Sequence, residues 1–220
     1  MNRDEITKKI KMGDAIIIEF PVINESIQGL LHFIIDEILK YYKRLDLTEC
    51  IYSAIKELII NGIKANIKHI IFKEYNVDAN NEKSMIEGLK VLKKLMTEKN
   101  FHELEKKARE NDLKVKIDFL HDKERVIAIV ENNSEMSKYE DKRIREKFKK
   151  ALNYESIADY YMDGVDDSEG SGIGITMVVL LLKGSNIDPH SFTIDTKEDK
   201  LTRARIEFPI DPGSDIRRNK

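Results

Sequence analysis

Apolar residues recur along this chain with two periods, and the switches between them mark its elements. Residues 15–20, AIIIEF, are a run of strand-forming residues ended by Pro21. From 24 to 44 the apolar positions are Ile27, Leu30, Leu31, Ile34, Ile35 and Ile38, the three- and four-residue spacing of an amphipathic helix. Thr48 is placed to cap a second helix over 49–68, and HIIF at 69–72 reads as a short strand. The stretch 73–113 reads as mostly helical. In it Ser84 and Glu87 match a capping box, and Ile86, Leu89, Leu92 and Met96 follow helical spacing. KVKIDFL and RVIAIVE, residues 114–120 and 125–131, predict a hairpin turned by HDKE. Ser137 and Glu140 signal a capped helix running to about Leu152. The acidic stretch 153–172 reads as a loop and 173–183 as a buried helix. Strands follow at 191–195 and 201–208, with Pro209 as the stop, and the polar tail 211–220 reads as disordered.

This order predicts an α+β fold: a two-layer α/β sandwich whose mixed, mostly antiparallel sheet carries its helices on one face. It forms one domain over 1–210 with a helical insertion at about 73–113. Composition narrows the class. With 41% hydrophobic and 35% charged residues and a formal net charge of −2, the chain is globular in character and has no global field to draw nucleic acid or an anionic membrane. Cys50, its single cysteine, permits no internal disulfide and no four-cysteine zinc site, so a reducing, cytoplasmic location is expected. The first fourteen residues have no apolar core of signal-peptide length, and the longest apolar run, 177–182, is far below a membrane span.

Two local patterns carry chemistry. On the second helix, Ile51, Ile55, Leu58, Ile59 and Ile63 form the apolar face, while Glu57, Asn61, Lys64 and Lys68 form one polar stripe. An amide oxygen can ligate Mg²⁺, a carboxylate one turn earlier can orient or deprotonate a hydroxyl, and a lysine can meet a phosphate. A solvated Glu–Lys helix face has the same spacing. The second pattern is EGSGIGITMVVLLLK, residues 169–183, in which Gly170, Gly172 and Gly174 open an apolar helix. Glycines let backbone N–H groups approach an anion, and a helix N-terminus adds free donors. A glycine-rich turn that merely starts a buried helix looks alike. The basic run 142–150, KRIREKFKK, reads as a solvated helix face with Ile144 and Phe148 turned inward.

The order of these patterns resembles the histidine kinase-like ATPase superfamily, which includes gyrase, heat-shock chaperone and mismatch-repair ATPases. ELIINGIKA (57–65) resembles its asparagine box and GSGIGITMV (170–178) its second glycine box. IAIVENN (127–133) stands where its first glycine box belongs, LTRARIEFP (201–209) resembles its closing strand, and the opening strand and helix resemble those of free-standing anti-sigma-factor kinases. The resemblance implies a Bergerat-type ATP-binding fold and a Mg²⁺-ATP site. In it Glu57 is the general base or water-orienting residue, Asn61 the metal ligand and Lys64 a phosphate contact. Gly170, Gly172 and Gly174 wrap the phosphates under a lid from about 138–169, and Glu131, Asn132 and Thr202 lie at the adenine. It also implies a stand-alone signalling kinase, ATPase or anti-sigma-like regulator with a protein partner, and the relatives it resembles often dimerise.

The first glycine box departs from that family. Glu131-Asn132-Asn133-Ser134-Glu135 replaces Asp-x-Gly-x-Gly. Either Glu131 or Asn132 can replace the aspartate as acceptor, and Asn133 can take the left-handed conformation of a glycine. Asp163, Asp166, Asp167 and Glu169 crowd the approach to the glycine loop. A weaker nucleotide site, a different ligand, or a non-catalytic sensor or interaction module that kept the fold are therefore also open.

Overall fold

The computed structural model describes residues 2–78, 81–95, 101–163, 173–196, 201–211, 213, 214 and 216. Eight helices and five strands are described: α1 (Arg3–Met12), β1 (Ile16–Phe20), α2 (Glu25–Tyr41), α3 (Thr48–Glu74), α4 (Glu82–Leu95), α5 (Phe101–Glu110), β2 (Val115–His121), β3 (Arg125–Asn132), α6 (Lys138–Ala151), α7 (Ile157–Met162), α8 (Ile173–Gly184), β4 (Phe192–Thr196) and β5 (Thr202–Pro209). The strands form one sheet in the order β1-β2-β3-β5-β4. Every pairing is antiparallel, so the sheet is not mixed as the sequence pattern suggested. The molecule is an α+β protein.

Strand alternation gives the sheet two unlike faces. Val115, Ile117 and Phe119 of β2, Val126, Ala128 and Val130 of β3, and Ile206 and Phe208 of β5 are buried in the core. Helices α3 and α6 reach the sheet on this face. A Cβ at Gly62 of α3 would lie 3.3 Å from Val115 Cγ2 and 3.4 Å from Asn132 Cβ. Phe148 of α6 packs on Phe192 of β4 with ring centroids 4.8 Å apart. On the opposite face, Glu19, Lys116, Glu131, Arg203 and Asp195 stand in register across all five strands, alternating in sign. Beside that row Arg125 and Arg205 both pair with Glu207, which is wholly buried.

Several elements differ from their sequence signals. HIIF is not a strand but the continuation of α3, which runs 27 residues. Its β-branched residues suit a sheet, yet Ile63, Ile67, Ile70 and Ile71 extend the buried helical stripe, and packing overrides propensity. Asn76, at φ 51°, then reverses the chain. Thr48 does not cap α3. A 3₁₀ turn at Leu45–Leu47 leads into the helix, and the Thr48 hydroxyl is buried without a partner. Helix α4 is entered through Asn81, whose Oδ1 accepts the Ser84 N–H at 3.1 Å, while Ser84 Oγ accepts the Asp78 N–H at 2.9 Å. Ser84 therefore serves the preceding turn and not a capping box with Glu87. Helix α1, capped by a box between Asn2 and Glu5, had no strong apolar stripe to announce it, and α7 interrupts the stretch read as a loop. The Ser137–Glu140 box is present in both directions. Among the described residues no helix is long and apolar enough to cross a membrane.

Candidate functional site

Helices α3 and α8 pack side by side, and the start of α8 meets the polar stripe of α3. A Cβ at Gly174 would lie 3.0 Å from Asn61 Nδ2, 3.1 Å from Glu57 Oε2 and 3.2 Å from Asn61 Oδ1. Only a residue without a side chain fits there without displacing the amide and carboxylate. Gly174 belongs to the first turn of α8, and that turn contains no acidic residue. Gly170 and Gly172 lie outside the described residues, as do Asp166, Asp167 and Glu169. Asp163 is described: its carboxylate accepts from Tyr154 Oη at 2.6 Å and pairs with Lys150 at 3.2 Å. The Tyr154 hydrogen bond, with Lys150 second, holds the Asp163 pKa below the usual carboxylate range.

Beside this contact lies a cavity of about 570 Å³ bounded by α3, α4, α6, the start of α8 and the inner face of the sheet. Asn61, Lys64, Asn132, Gly174 and Thr202 all line it. Glu57 does not, and stands at its edge against Gly174. The floor and sides are apolar, from Leu58, Val130, Met136, Ile144, Ile175 and Ala204. The volume, and an apolar floor rimmed by polar side chains, suit a small-molecule ligand.

Glu131 is not part of this arrangement. It is adjacent to Asn132 in β3, so the pleat sends the two side chains to opposite faces. Asn132 faces the cavity. Glu131 faces the charged row, where Lys116 pairs with it at 3.4 Å and Arg203 also binds it. A carboxylate contact from Glu131 to a ligand in the cavity is thereby removed. Asn133 does not take a left-handed conformation; among the described residues positive φ outside glycine occurs at Lys43, Asn76, Asp112 and Asn186. Its side chain instead ties two loops, accepting from the Lys114 N–H at 2.9 Å and donating to the Asp112 carbonyl at 2.7 Å.

Asn132 sits in a small polar network. Its Nδ2 donates to Ser134 Oγ at 2.6 Å and to Asn66 Oδ1 at 3.4 Å, and Thr202 Oγ1 donates to the Ser134 carbonyl at 2.7 Å. Asn66 Nδ2 donates in turn to the Lys114 carbonyl at 3.0 Å. Using Nδ2 for these bonds orients the Asn132 amide and keeps Oδ1 as its acceptor end. Asn66 and Ser134 were not legible as site residues, because neither belongs to a spacing that marks a ligand.

The cavity wall is cationic. Lys64 and Lys68 of α3, Lys90 and Lys93 of α4, and Arg143 and Lys147 of α6 line it, against the carboxylates Glu135 and Glu140. Lys68 and Glu140 form an ion pair, which also borders a recess of about 260 Å³ beside His69 and Phe72. The basic run 142–150 is thus more than a solvated face: Phe148 turns inward, but Arg143 and Lys147 flank Ile144 on the cavity side. The α4 lysines carried no sequence signal, since only the docking of α4 on α3 brings them here. Among the described residues no group of three or more His, Cys, Asp or Glu side chains could hold a metal ion unaided.

The chain is 30% identical over 163 residues, 74% of its length, to a Treponema pallidum (strain Nichols) protein described as uncharacterized. It spans 31% of that relative's length. No family model matches the chain, and no solved structure matches it.

Proposed function

We propose that this chain is an ATP-binding signalling protein of the histidine kinase-like ATPase superfamily, with a Bergerat-type nucleotide fold. We read it as a kinase or anti-sigma-like regulator acting on a protein partner. One observation carries this reading: Gly174, at the start of α8, abuts the polar atoms of Asn61 and Glu57, so that a Cβ there would come within 3.0–3.2 Å of them, at the wall of a cavity that Asn61, Lys64, Asn132 and Thr202 share. Those are the asparagine-box and glycine-box residues that the sequence resemblance pairs across a nucleotide.

The residues fit the ligand they imply. The start of a helix borders the cavity and the surrounding wall is basic, which suits a polyphosphate. Asn61 Oδ1 is the side chain available to a Mg²⁺ ion carried on the phosphates, which would neutralise charge during phosphoryl transfer. Lys64 would contact a phosphate. Glu57, at the edge of the cavity, would orient or deprotonate an acceptor hydroxyl. Asn132 Oδ1 would accept from the base, with Thr202 and Ser134 holding it in place.

Calorimetric titration with Mg-ATP and Mg-ADP tests the reading. Micromolar binding that Asn61→Ala weakens by at least about tenfold supports it. Absence of heat at millimolar nucleotide overturns it. Glu57→Ala should keep binding and lose transfer of labelled phosphate to a co-purified protein; normal turnover in that variant removes Glu57 as base.

A second reading has its own observation. With Glu131 turned to the other face, the cavity loses the carboxylate that would replace the family's aspartate and keeps instead Glu135, at the second glycine position, while Asn132, Asn133 and Ser134 are already hydrogen-bonded to protein. A non-catalytic nucleotide sensor or interaction module fits that arrangement, and binding without turnover in the same experiments selects it.

A further inference from the structure

The wall contributed by α4 has no counterpart in the motifs that suggested a nucleotide. This helix comes from the insertion and is seated closely on the end of α3. A Cβ at Gly88 would lie 2.8 Å from Val77 Cγ1 and 2.9 Å from Phe72 Cε1, so the absent side chain sets the approach. Met85 is buried beneath it, and Leu89 and Leu92 line the cavity. With that face turned in, Lys90 and Lys93, three residues apart, fall along one edge of the helix and line the same cavity.

Lys64 on α3 lines this cavity too. None of these three lysines forms an ion pair among the described residues, unlike their neighbour Lys68, which has Glu140. Cations gathered around one partly enclosed space repel each other unless an anion lies between them. The potentials they add focus into the cleft and raise the local concentration of anions. A monoanion would not need so many. The arrangement suits a ligand with several charges in a short span.

We propose that α4 is a charge-reading wall of the site: Lys90 and Lys93, with Lys64, bind the phosphate chain of the ligand and set a preference for nucleoside triphosphates over di- and monophosphates. The proposal rests on the nucleotide reading above, but it can fail separately. The insertion then determines specificity, and a longer phosphate chain gains more from it than a shorter one.

The test is calorimetric titration of Mg-ATP, Mg-ADP and AMP into the wild type and into K90A/K93A, K90E/K93E and K90R/K93R. Both lysines are exposed, so folding should survive, and unchanged thermal unfolding would verify this. K90A/K93A should weaken Mg-ATP by at least about tenfold while AMP changes less than about twofold, and K90E/K93E should weaken Mg-ATP further. The arginine pair should restore the preference, and the salt dependence of Mg-ATP binding should flatten in the alanine pair. If ATP, ADP and AMP weaken in parallel, or none changes, α4 does not read charge even though the nucleotide site stands. If the wild type binds no nucleotide, inorganic tripolyphosphate becomes the probe. Binding lost in K90E/K93E upholds the wall without the nucleotide, and no binding overturns both.

Discussion

The two faces of the sheet use polar residues in opposite ways. On the outer face charges neutralise one another. Glu19, Lys116, Glu131, Arg203 and Asp195 alternate across the strands, and Arg125 and Arg205 close on the buried Glu207. Around the cavity on the inner face Lys68 is paired with Glu140, but Asn132 Oδ1 is left as an acceptor end and Lys64, Lys90 and Lys93 form no ion pair among the described residues. A charge that has a partner holds the fold, whereas a polar group left without one is available to a ligand. Glu131 and Asn132, adjacent in β3, fall on either side of that division.

The largest effect should come from breaking the outer face. Glu207→Ala leaves Arg125 buried beside a lost partner and should cost about 3–5 kcal/mol in urea unfolding. Replacing both members, as in Arg125→Met with Glu207→Leu, should cost far less. Equal losses would mean that the pair is not the source of the effect.

A pair of single variants sharpens the division within β3. Asn132→Ala removes one end of the network to Ser134 and Asn66 and should cost about 1–3 kcal/mol, together with a loss of nucleotide affinity. Glu131→Ala loosens the row of charges, whose other members are partly exposed, and should leave nucleotide affinity unchanged. A drop in affinity for Glu131→Ala alone would place the ligand on the wrong face.

The smallest effect concerns the edge of the inner face. His121 Nδ1 lies 3.0 Å from Tyr42 Oη, and burial lowers its pKa below the ordinary 6.5, against the opposing pull of Asp14 and Asp122. The unfolded chain then binds its proton more readily than the native one. Stability should be full above about pH 6.5 and should fall as pH drops below it, by at most about 1.4 kcal/mol per pH unit. His121→Phe should remove that slope from the pH dependence of unfolding; an unchanged slope would assign it to other groups.

Some of this architecture can be read from local pattern because local pattern causes it. The hairpin of β2 and β3 alternates as written, and the Ser137–Glu140 box closes in both directions because its partners are three residues apart. HIIF misleads because its propensity is for strands, while its place on the face of α3 is set by α4, α5 and the sheet. Thr48 misleads because a cap needs an extended residue, and the 3₁₀ turn before α3 does not supply one. Asn133 has the residue type for a left-handed turn but spends its side chain on Lys114 and Asp112.

The sequence by itself determined the five sheet strands, most of the longer helices, the α+β class and the polar stripe Glu57-Asn61-Lys64, all of which depend on neighbours within a turn or two. Only the tertiary structure decided that Gly174 abuts that stripe, that Glu131 leaves the cavity while Asn132 enters it, and that lysines from an insertion complete the wall. Those facts depend on helix docking and strand register, which join residues up to about a hundred positions apart, and no local spacing encodes them.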